Sequence, residues 1–271
     1  MKRAFVRLIG EENYVKSFGY ISDLYQSVFL RIKEEGTSLV PNFIRQGDTV
    51  FDIGANVGRF TSFAAKLVGK NGRVYSFEPQ SYPRKVLSQM KSIRGFFQVT
   101  VVDTALSDQV GKAAITIPLK DGWKPKSACG HLDGTGEGAF RTETVDLTTL
   151  DLFCESHAVE RLDFIKCDVE GAELKLFSSG LRALKRFSPV LYTEVDKLCL
   201  DRRGISLRAI FDFMEGIGYK AYLPDETKRL YYVSPDNITR EKTEYFFIPK
   251  VRAARINPGI FRDGEMRHLK D

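Results

Sequence analysis

The chain has 271 residues, of which 43% are hydrophobic and 28% are charged, a composition typical of globular domains and unlike that of disordered proteins. No stretch approaches the roughly 20 uninterrupted apolar residues of a membrane-spanning helix, and the opening MKRAFVRLIGEENY reaches Glu11 and Glu12 too early for a secretory signal. The formal net charge of +6 and the pI near 9.0 indicate a basic solvated surface; a nucleic acid, a phosphorylated substrate or peripheral contact with an anionic membrane are alternatives.

Four cysteines stand far apart in the chain, at Cys129, Cys154, Cys167 and Cys199. No Cys-x-x-Cys pair is present, and the spacing to histidine is not that of a metal site. In a chain of this length the pattern supports neither a disulfide framework nor a zinc site. We therefore expect reduced thiols and a cytoplasmic protein.

Residues 1–46 are predicted to be a helical segment that packs on the core and ends at a turn around Gly47. Alternating elements follow: the strand TVFDIG, the helix RFTSFAAKLVG, the strand GRVYSFEP, the helix YPRKVLSQMKSI and the strand FQVTVVDTAL. Strands separated by helical patterns predict crossover connections and a mostly parallel sheet.

After Ser107 the alternation stops, and two further strands, GKAAITIP and RTETVDLTTLD, flank a stretch rich in glycine and lysine. The two strands, together with the stretch between them, predict a small β insertion over about 111–145. The alternation then resumes with the helix LDLFCESHAV, the strand LDFIKCDV, the helix AELKLFSSGLRALKRF, the strand PVLYTEV and the helix SLRAIFDFMEGIG.

YKAYLP and EYFFIP are predicted to pair as antiparallel strands near the end of the chain. The tail, 251–271, is basic and has little apolar content, so we expect it to be flexible. The sequence contains no internal repeat, and it contains no linker that would separate two cores. The sequence therefore predicts one α/β domain over 47–250, with a mostly parallel sheet and an antiparallel C-terminal strand.

The turn after the first strand carries Gly54, Asn56 and Gly58, directly before a helix. Glycine lets backbone approach a ligand closely, asparagine tolerates left-handed geometry, and a helix N-terminus attracts an anionic group. Glu78 closes the second strand about 20 residues later, where dinucleotide-binding units place an acid against ribose hydroxyls. The turn is therefore predicted to hold a ligand with an anionic end and a ribose.

The glycine spacing argues against a nicotinamide cofactor. The dinucleotide fingerprint requires G-x-G-x-x-G, whereas the chain reads G-A-N-V-G-R from Gly54. Asp52, two residues earlier, suits an ammonium group. S-adenosylmethionine combines a ribose, an adenine and an amino acid, and it is the predicted ligand; a tight strand–helix joint without a ligand is the alternative.

Five stretches, VFDIGANVGRFTSFAA, VYSFEP, VVDTALSD, TTLD and LDFIKCDVEGAEL, resemble in that order the signature of FkbM-type methyltransferases. The resemblance runs from about Gly47 to Val195. It implies a class I, Rossmann-like fold and S-adenosylmethionine-dependent O-methylation of a sugar, glycolipid or natural-product hydroxyl, with S-adenosylhomocysteine as product. The chain departs from the family at SQMKSIRGFF, where members often carry asparagines, and in the long insert.

The resemblance also implies eight cofactor contacts. In the order methionine end, ribose and adenine, they are Asp52, Gly54, Asn56 and Gly58; Glu78; and Thr104, Ala105 and Leu106.

Acidic residues end two further strands, at the edge where open α/β sheets bind ligands. Asp168 and Glu170 follow LDFIKC, and Glu194 ends PVLYTEV. Buried carboxylates are unfavourable unless paired, so these acids indicate function; capping of the next helix is the alternative for the first two. Asp168 is our first candidate at the methyl-transfer centre, as base or substrate anchor. Lys166 lies on the same side of the strand and is expected to pair with Asp168 or to bind substrate.

His131, in the insert, is a second catalytic candidate because histidine is the usual base near neutral pH. His157 is expected at the surface on the opposite edge, and His268 lies in the tail. Mg²⁺ held by Asp168, Glu170 and Glu194 is a further hypothesis, since it prefers hard oxygen ligands; no metal is assigned from the spacing.

Three other roles stay open at this point. A nucleic-acid methyltransferase would suit the basic tail, but the N/D-P-P-Y/F/W box and the Pro-Cys nucleophile of DNA enzymes are missing. A nicotinamide-dependent oxidoreductase is disfavoured by the glycine spacing. A non-catalytic module that keeps the fold is the third. We expect a small-molecule or glycan acceptor, and nothing in the pattern indicates its identity or an oligomeric state.

Overall fold

The computed structural model describes Ile21, Leu24, Tyr25 and residues 35–120, 124–125, 131–132, 140–237 and 242–269. The α-helices in these ranges are α1 (Arg59–Val68), α2 (Ser81–Arg94), α3 (Leu150–Ser156), α4 (Glu173–Ser178), α5 (Leu181–Phe187), α6 (Lys197–Asp201) and α7 (Leu207–Gly216). The strands are β1 (Thr49–Ile53), β2 (Arg73–Phe77), β3 (Val99–Val102), β4 (Ala105–Leu106), β5 (Gly111–Lys120), β6 (Lys124–Pro125), β7 (His131–Leu132), β8 (Phe140–Thr148), β9 (Phe164–Cys167), β10 (Val190–Asp196), β11 (Tyr219–Pro224), β12 (Leu230–Tyr232) and β13 (Lys242–Pro249).

Among the described strands, eight form a central sheet in the order β12-β11-β13-β10-β9-β1-β2-β3. The strands from β10 to β3 in that order are parallel. Strand β13 runs antiparallel between β10 and β11, so YKAYLP and EYFFIP pair as predicted. The mostly parallel sheet with an antiparallel C-terminal strand is therefore confirmed.

Both faces of this sheet are buried, which explains why its central strands are continuous apolar runs. All five residues of β1 are buried. Val50 and its neighbours on one face pack against α1, while Phe51 and its neighbours on the other face pack against α3, α4 and α7. The core thus consists of two hydrophobic layers that fix the ends of the parallel strands in space.

The small β insertion after the third strand is also confirmed. Within the described residues, β4, β8, β5, β6 and β7 form a second sheet. Glu143 of β8 accepts hydrogen bonds from the backbone N and Oγ of Ser81, both at 2.8 Å, and so joins this sheet to the start of α2. One boundary differs from the prediction: β3 ends at Val102, and Ala105–Leu106 pairs in parallel with β8 instead.

The predicted helix AELKLFSSGLRALKRF is two helices, α4 and α5, and the prediction of one helix was wrong. The break lies at Gly180, where a Cβ atom would come within 2.3 Å of the Leu150 side chain. The glycine lets the chain pass close to α3 at this point, and helical periodicity alone does not reveal such a contact.

Residues 250–269 differ from the expected flexible tail. They form three 3₁₀ segments, and four of their apolar side chains are buried in the core layer that contains Val50: Ile256, Ile260, Phe261 and Leu269. Most of the predicted N-terminal helical segment lies outside the described residues. Its last part, 35–42, forms two short 3₁₀ segments, and Leu39, Val40, Phe43 and Ile44 pack on the same layer.

No helix in the described ranges has the length and apolarity to cross a bilayer.

Candidate active site

The turn between β1 and α1 is left-handed at three positions and tied to the end of β2. Gly54, Asn56 and Gly58 have φ angles of 77°, 49° and 85°. The backbone N–H groups of Gly54 and Ala55 donate to the Phe77 carbonyl oxygen at 3.1 and 2.9 Å, and that of Gly58 donates to the Ala55 carbonyl oxygen. These amides are used within the protein. An anionic ligand would meet the first turn of α1, whose N-cap Gly58 provides no side-chain hydrogen bond.

The two glycines are also required by close packing. A Cβ atom on Gly54 would lie 2.0 Å from the carbonyl oxygen of Asp168, and one on Gly58 would lie 2.4 Å from Leu87 of α2. The Asp168 backbone N–H donates to the Ile53 carbonyl oxygen at 3.0 Å. The first glycine therefore brings the loop after β9 directly against the turn after β1.

Substitution of Gly54 by alanine is expected to lower the free energy of unfolding by about 3 kcal/mol or more, because left-handed strain and a backbone clash add. Gly47→Ala is the matched control, since Gly47 has a φ angle of 84° and nothing lies within 4 Å of the position of its Cβ. It should cost only the strain, about 1 kcal/mol. Urea unfolding of both variants measures the difference. Equal losses would contradict the packing argument.

Asp52 is completely buried on the face of β1 that α1 covers. Its carboxylate accepts a hydrogen bond from Thr61 Oγ1 at 2.6 Å, and that hydroxyl lies 2.9 Å from Ser76 Oγ. A carboxylate that binds the ammonium group of a ligand must be accessible to that ligand, whereas Asp52 is completely buried. The acid instead fixes the first turn of α1 to the sheet, because its side chain points under the helix.

Glu78, at the end of β2, is buried and accepts two backbone hydrogen bonds at 2.8 Å, one from Asn56 and one from Gln80. Burial raises the pKa of its carboxyl group to about 7, although both amides lower it. Gln80 lies beside it, and its buried Oε1 has no hydrogen-bond partner among the described residues. Two buried acceptors thus lie at the end of β2, next to the glycine turn.

Asp168 and Lys166 form an ion pair beside that turn. Lys166 Nζ donates to Asp168 Oδ2 at 2.9 Å. The lysine side chain is 7% exposed and that of the aspartate is 34% exposed, so a buried cation holds an accessible carboxylate. This is the pairing that their spacing along the strand predicts.

Glu170 and Glu194, the other two predicted acids, contact other parts of the structure. Glu170 has a left-handed φ angle of 52°, and the Cys199 thiol lies 3.8 Å from its Oε2. Glu194 lies within β10, opposite Glu244 of β13. The described residues contain no group of three or more potential ligands suited to a metal ion, so nothing supports the magnesium hypothesis. Helix α4 has Ala172 as its N-cap without a side-chain hydrogen bond, so neither Asp168 nor Glu170 caps it.

Two predicted contacts of the adenine are in the hydrophobic core. Ala105 packs in the second sheet, and Leu106 packs in the layer that contains Phe51. Of the three predicted residues, Thr104 alone is partly exposed. His131 lies in β7, opposite Thr116 of β5, and its side chain is outside the described part of the structure.

Glu173, the last acid of the CDVEGAE stretch, had no predicted role. Its side chain is 1% exposed, Oε1 accepts from the Gly171 N–H at 3.1 Å, and Oε2 has no partner among the described residues. Burial raises its pKa to about 7. Gln80 was missed as well. Gln80 lies three residues after the end of β2, and Glu173 is the first residue of α4, in the segment that follows β9. Their positions in the segments after two neighbouring parallel strands are the signal that would have identified them.

A family model identifies the protein family of the chain that carries this site. The family model described as "Methyltransferase FkbM domain" matches residues 52–221, more than half of the chain. The chain belongs to the FkbM methyltransferase family. It is therefore an S-adenosylmethionine-dependent methyltransferase, and the matched region includes the glycine turn, Glu78, Lys166 and Asp168.

Two curated relatives carry methyltransferase names. The chain is 26% identical over 187 residues to 2-O-methyltransferase NoeI of Sinorhizobium fredii (strain NBRC 101917 / NGR234), covering 65% of this chain and 74% of that one. It is 33% identical over 116 residues to 31-O-demethyl-FK506 methyltransferase FkbM of Streptomyces tacrolimicus, covering 40% of this chain and only 44% of that one. The crystal structure of a methyltransferase FkbM from Methylobacillus flagellatus KT is similar with a TM-score of 0.46 and 14% identity, over 87% of this chain and 60% of that one.

Proposed function

We propose that this FkbM-family enzyme methylates a hydroxyl group of a sugar, glycolipid or natural-product acceptor. The observation that carries the proposal is the accessible Asp168 carboxylate, which pairs with Lys166 and belongs to a residue whose backbone lies against the glycine turn. The names of the two relatives described above specify methyl transfer to an oxygen atom, which supports a hydroxyl rather than an amine as the acceptor.

The residues at the end of β2 fit the nucleoside part of the cofactor. Glu78 is a desolvated carboxylate with room for further hydrogen bonds, and two ribose hydroxyls would favour its charged form. Gln80 Oε1 is a buried acceptor in need of a donor. Gly54, Asn56 and Gly58 would shape the turn at the methionine end, with Thr104 near the adenine.

Asp168 would act on the acceptor. When bound, S-adenosylmethionine supplies the electrophilic methyl group. A sugar hydroxyl is a weak nucleophile until it loses its proton, and a positioned carboxylate can accept that proton. The ion pair with Lys166 holds the Asp168 carboxylate in place, and the carboxylate in turn holds the acceptor hydroxyl in one orientation. Much of the rate of such a displacement comes from orientation of this kind.

An isotope assay with the full-length chain and methyl-labelled S-adenosylmethionine tests the proposal. The acceptor panel comprises lipopolysaccharide sugars, glycolipids and polyketide scaffolds, with tRNA and rRNA as the competing class. We expect label in a hydroxylated acceptor as an alkali-stable methyl ether. Label confined to RNA, or released by alkali as from a methyl ester, would overturn the proposal.

A further inference from the structure

A second polar cavity lies at the opposite edge of the sheet, where β1, β9 and β10 begin. Its volume is about 50 Å³. Six charged residues line it: Arg45, Asp48, Arg161, Asp163, Arg252 and Arg255. Asp48 and Gly54 bracket β1, so the cavity is separated from the glycine turn by the length of that strand, roughly 20 Å. It is therefore a different site from the one described above.

The two carboxylates in the cavity are already engaged by two of the arginines. Asp163 accepts from Arg161 Nε at 2.5 Å and from Arg252 at 3.2 Å, besides the Thr49 N–H at 3.0 Å. Asp48 accepts from Arg161 and from the Arg45 backbone N–H. The aspartates thus position Arg161 and Arg252 but neutralise only those two.

The other two guanidinium groups have no carboxylate partner in the described part of the chain. Arg45 donates to the backbone carbonyl oxygen of Arg255 at 2.6 Å, a neutral acceptor. Both residues line the cavity and are exposed. The lining therefore carries an excess of two positive charges. The ion pairs of Asp48 and Asp163 with Arg161 and Arg252 do not involve the side chains of Arg45 and Arg255, whose charges are additional to these pairs.

We propose that this cavity binds a phosphate group. The guanidinium fork matches the oxygens of a phosphate in two parallel hydrogen bonds. A cavity of about 50 Å³ is several times the 10–15 Å³ that one water molecule needs. A dianion would neutralise the excess charge. It would also connect the segments that contain Arg45 and Arg255 to the start of the sheet.

Titration of the full-length protein with inorganic phosphate at constant ionic strength tests the proposal. Calorimetry should show one site, and the unfolding temperature should rise with phosphate because the ligand binds the folded state. Arg45→Gln and Arg255→Gln should each weaken phosphate binding about tenfold and leave S-adenosylmethionine binding unchanged. Arg73→Gln is the matched control, since Arg73 is an exposed arginine that begins β2 at the same edge.

Equal phosphate affinity in the wild type and both cavity variants, or no binding by the wild type, would overturn the proposal. Both substituted side chains are exposed, and circular dichroism confirms folding of each variant. Vesicles containing phosphatidic acid form a second arm of the experiment. Vesicle binding that the variants lose would identify a lipid headgroup as the source of the phosphate, and binding of inorganic phosphate alone would identify a soluble ligand.

Discussion

Replacement of Glu78 by glutamine is expected to weaken S-adenosylmethionine binding by about 100-fold or more. Hydrogen bonds to a charged acceptor contribute about 1.5–3 kcal/mol each, and two ribose hydroxyls would lose them. A glutamine also has one oxygen in place of two, so one of the N–H groups of Asn56 and Gln80 would lose its acceptor. Calorimetric titration of the full-length protein measures the loss. Glu160→Gln, at an exposed position, is the control.

In the absence of cofactor, the effect of Glu78→Gln on the free energy of unfolding is expected to depend on pH. Burial raises the pKa of Glu78 from 4.5 to about 7 in the folded protein. The folded state therefore holds this proton more tightly than the unfolded chain. The stability that the group contributes is complete below pH 4.5 and is lost as the pH rises through about 7. Relative to Glu78→Gln, the wild type should lose about 2–3 kcal/mol of unfolding free energy between pH 5 and pH 8.

Two results would contradict this account of Glu78. The first is unchanged cofactor affinity in the glutamine variant. The second is a stability difference between wild type and variant that is independent of pH, since that would mean that the carboxylate is not desolvated. Urea unfolding at the two pH values provides the second measurement and needs no cofactor.

The second large effect is expected for Asp168→Asn, with a fall in kcat of about 100- to 10,000-fold and nearly unchanged S-adenosylmethionine affinity. Loss of a positioned proton acceptor has effects of this size. The asparagine keeps the shape of the side chain but cannot take the proton. The isotope assay gives kcat with the acceptor that the panel identifies, and calorimetry gives the affinity. Asp212→Asn, in an exposed ion pair of α7, is the control.

The outcome for Asp168 separates its two candidate roles. A base lowers kcat when it is lost, whereas a residue that only anchors the acceptor raises KM and leaves kcat unchanged. Full activity of Asp168→Asn would remove both roles. A loss of cofactor binding in this variant would instead mean that the loop after β9 has moved away from Gly54, because the two are in backbone contact.

The sheet was predictable because its signals are local. Apolar runs such as TVFDIG and LDFIKC are buried on both faces, and helical patterns between them require parallel crossovers. The family motifs followed from the same stretches. Helix α5 and the 3₁₀ segments of the C-terminus show the limit of this reasoning. The break between α4 and α5 lies at Gly180, which has no room for a Cβ beside Leu150, and Ile256 and Phe261 are buried by residues far away in the chain.

The candidate site was predictable in its positions more than in its contacts. Spacing alone located Glu78 and Asp168 at the carboxyl edge, and the alternation of side chains along β9 predicted the pair with Lys166. Spacing could not show that Asp52 points under α1 onto Thr61. It also gave no indication that Ala105 and Leu106 leave the central sheet to pair with β8.

The sequence by itself determined the alternation of strands and helices in the central sheet, the glycine turn and the family, since each depends on residues close together in the chain. Only the tertiary structure decided which charges meet. Arg45, Arg161 and Arg252 converge at one edge of the sheet from three separate segments. Burial, and with it the raised pKa of Glu78, likewise depends on neighbours that no local pattern specifies.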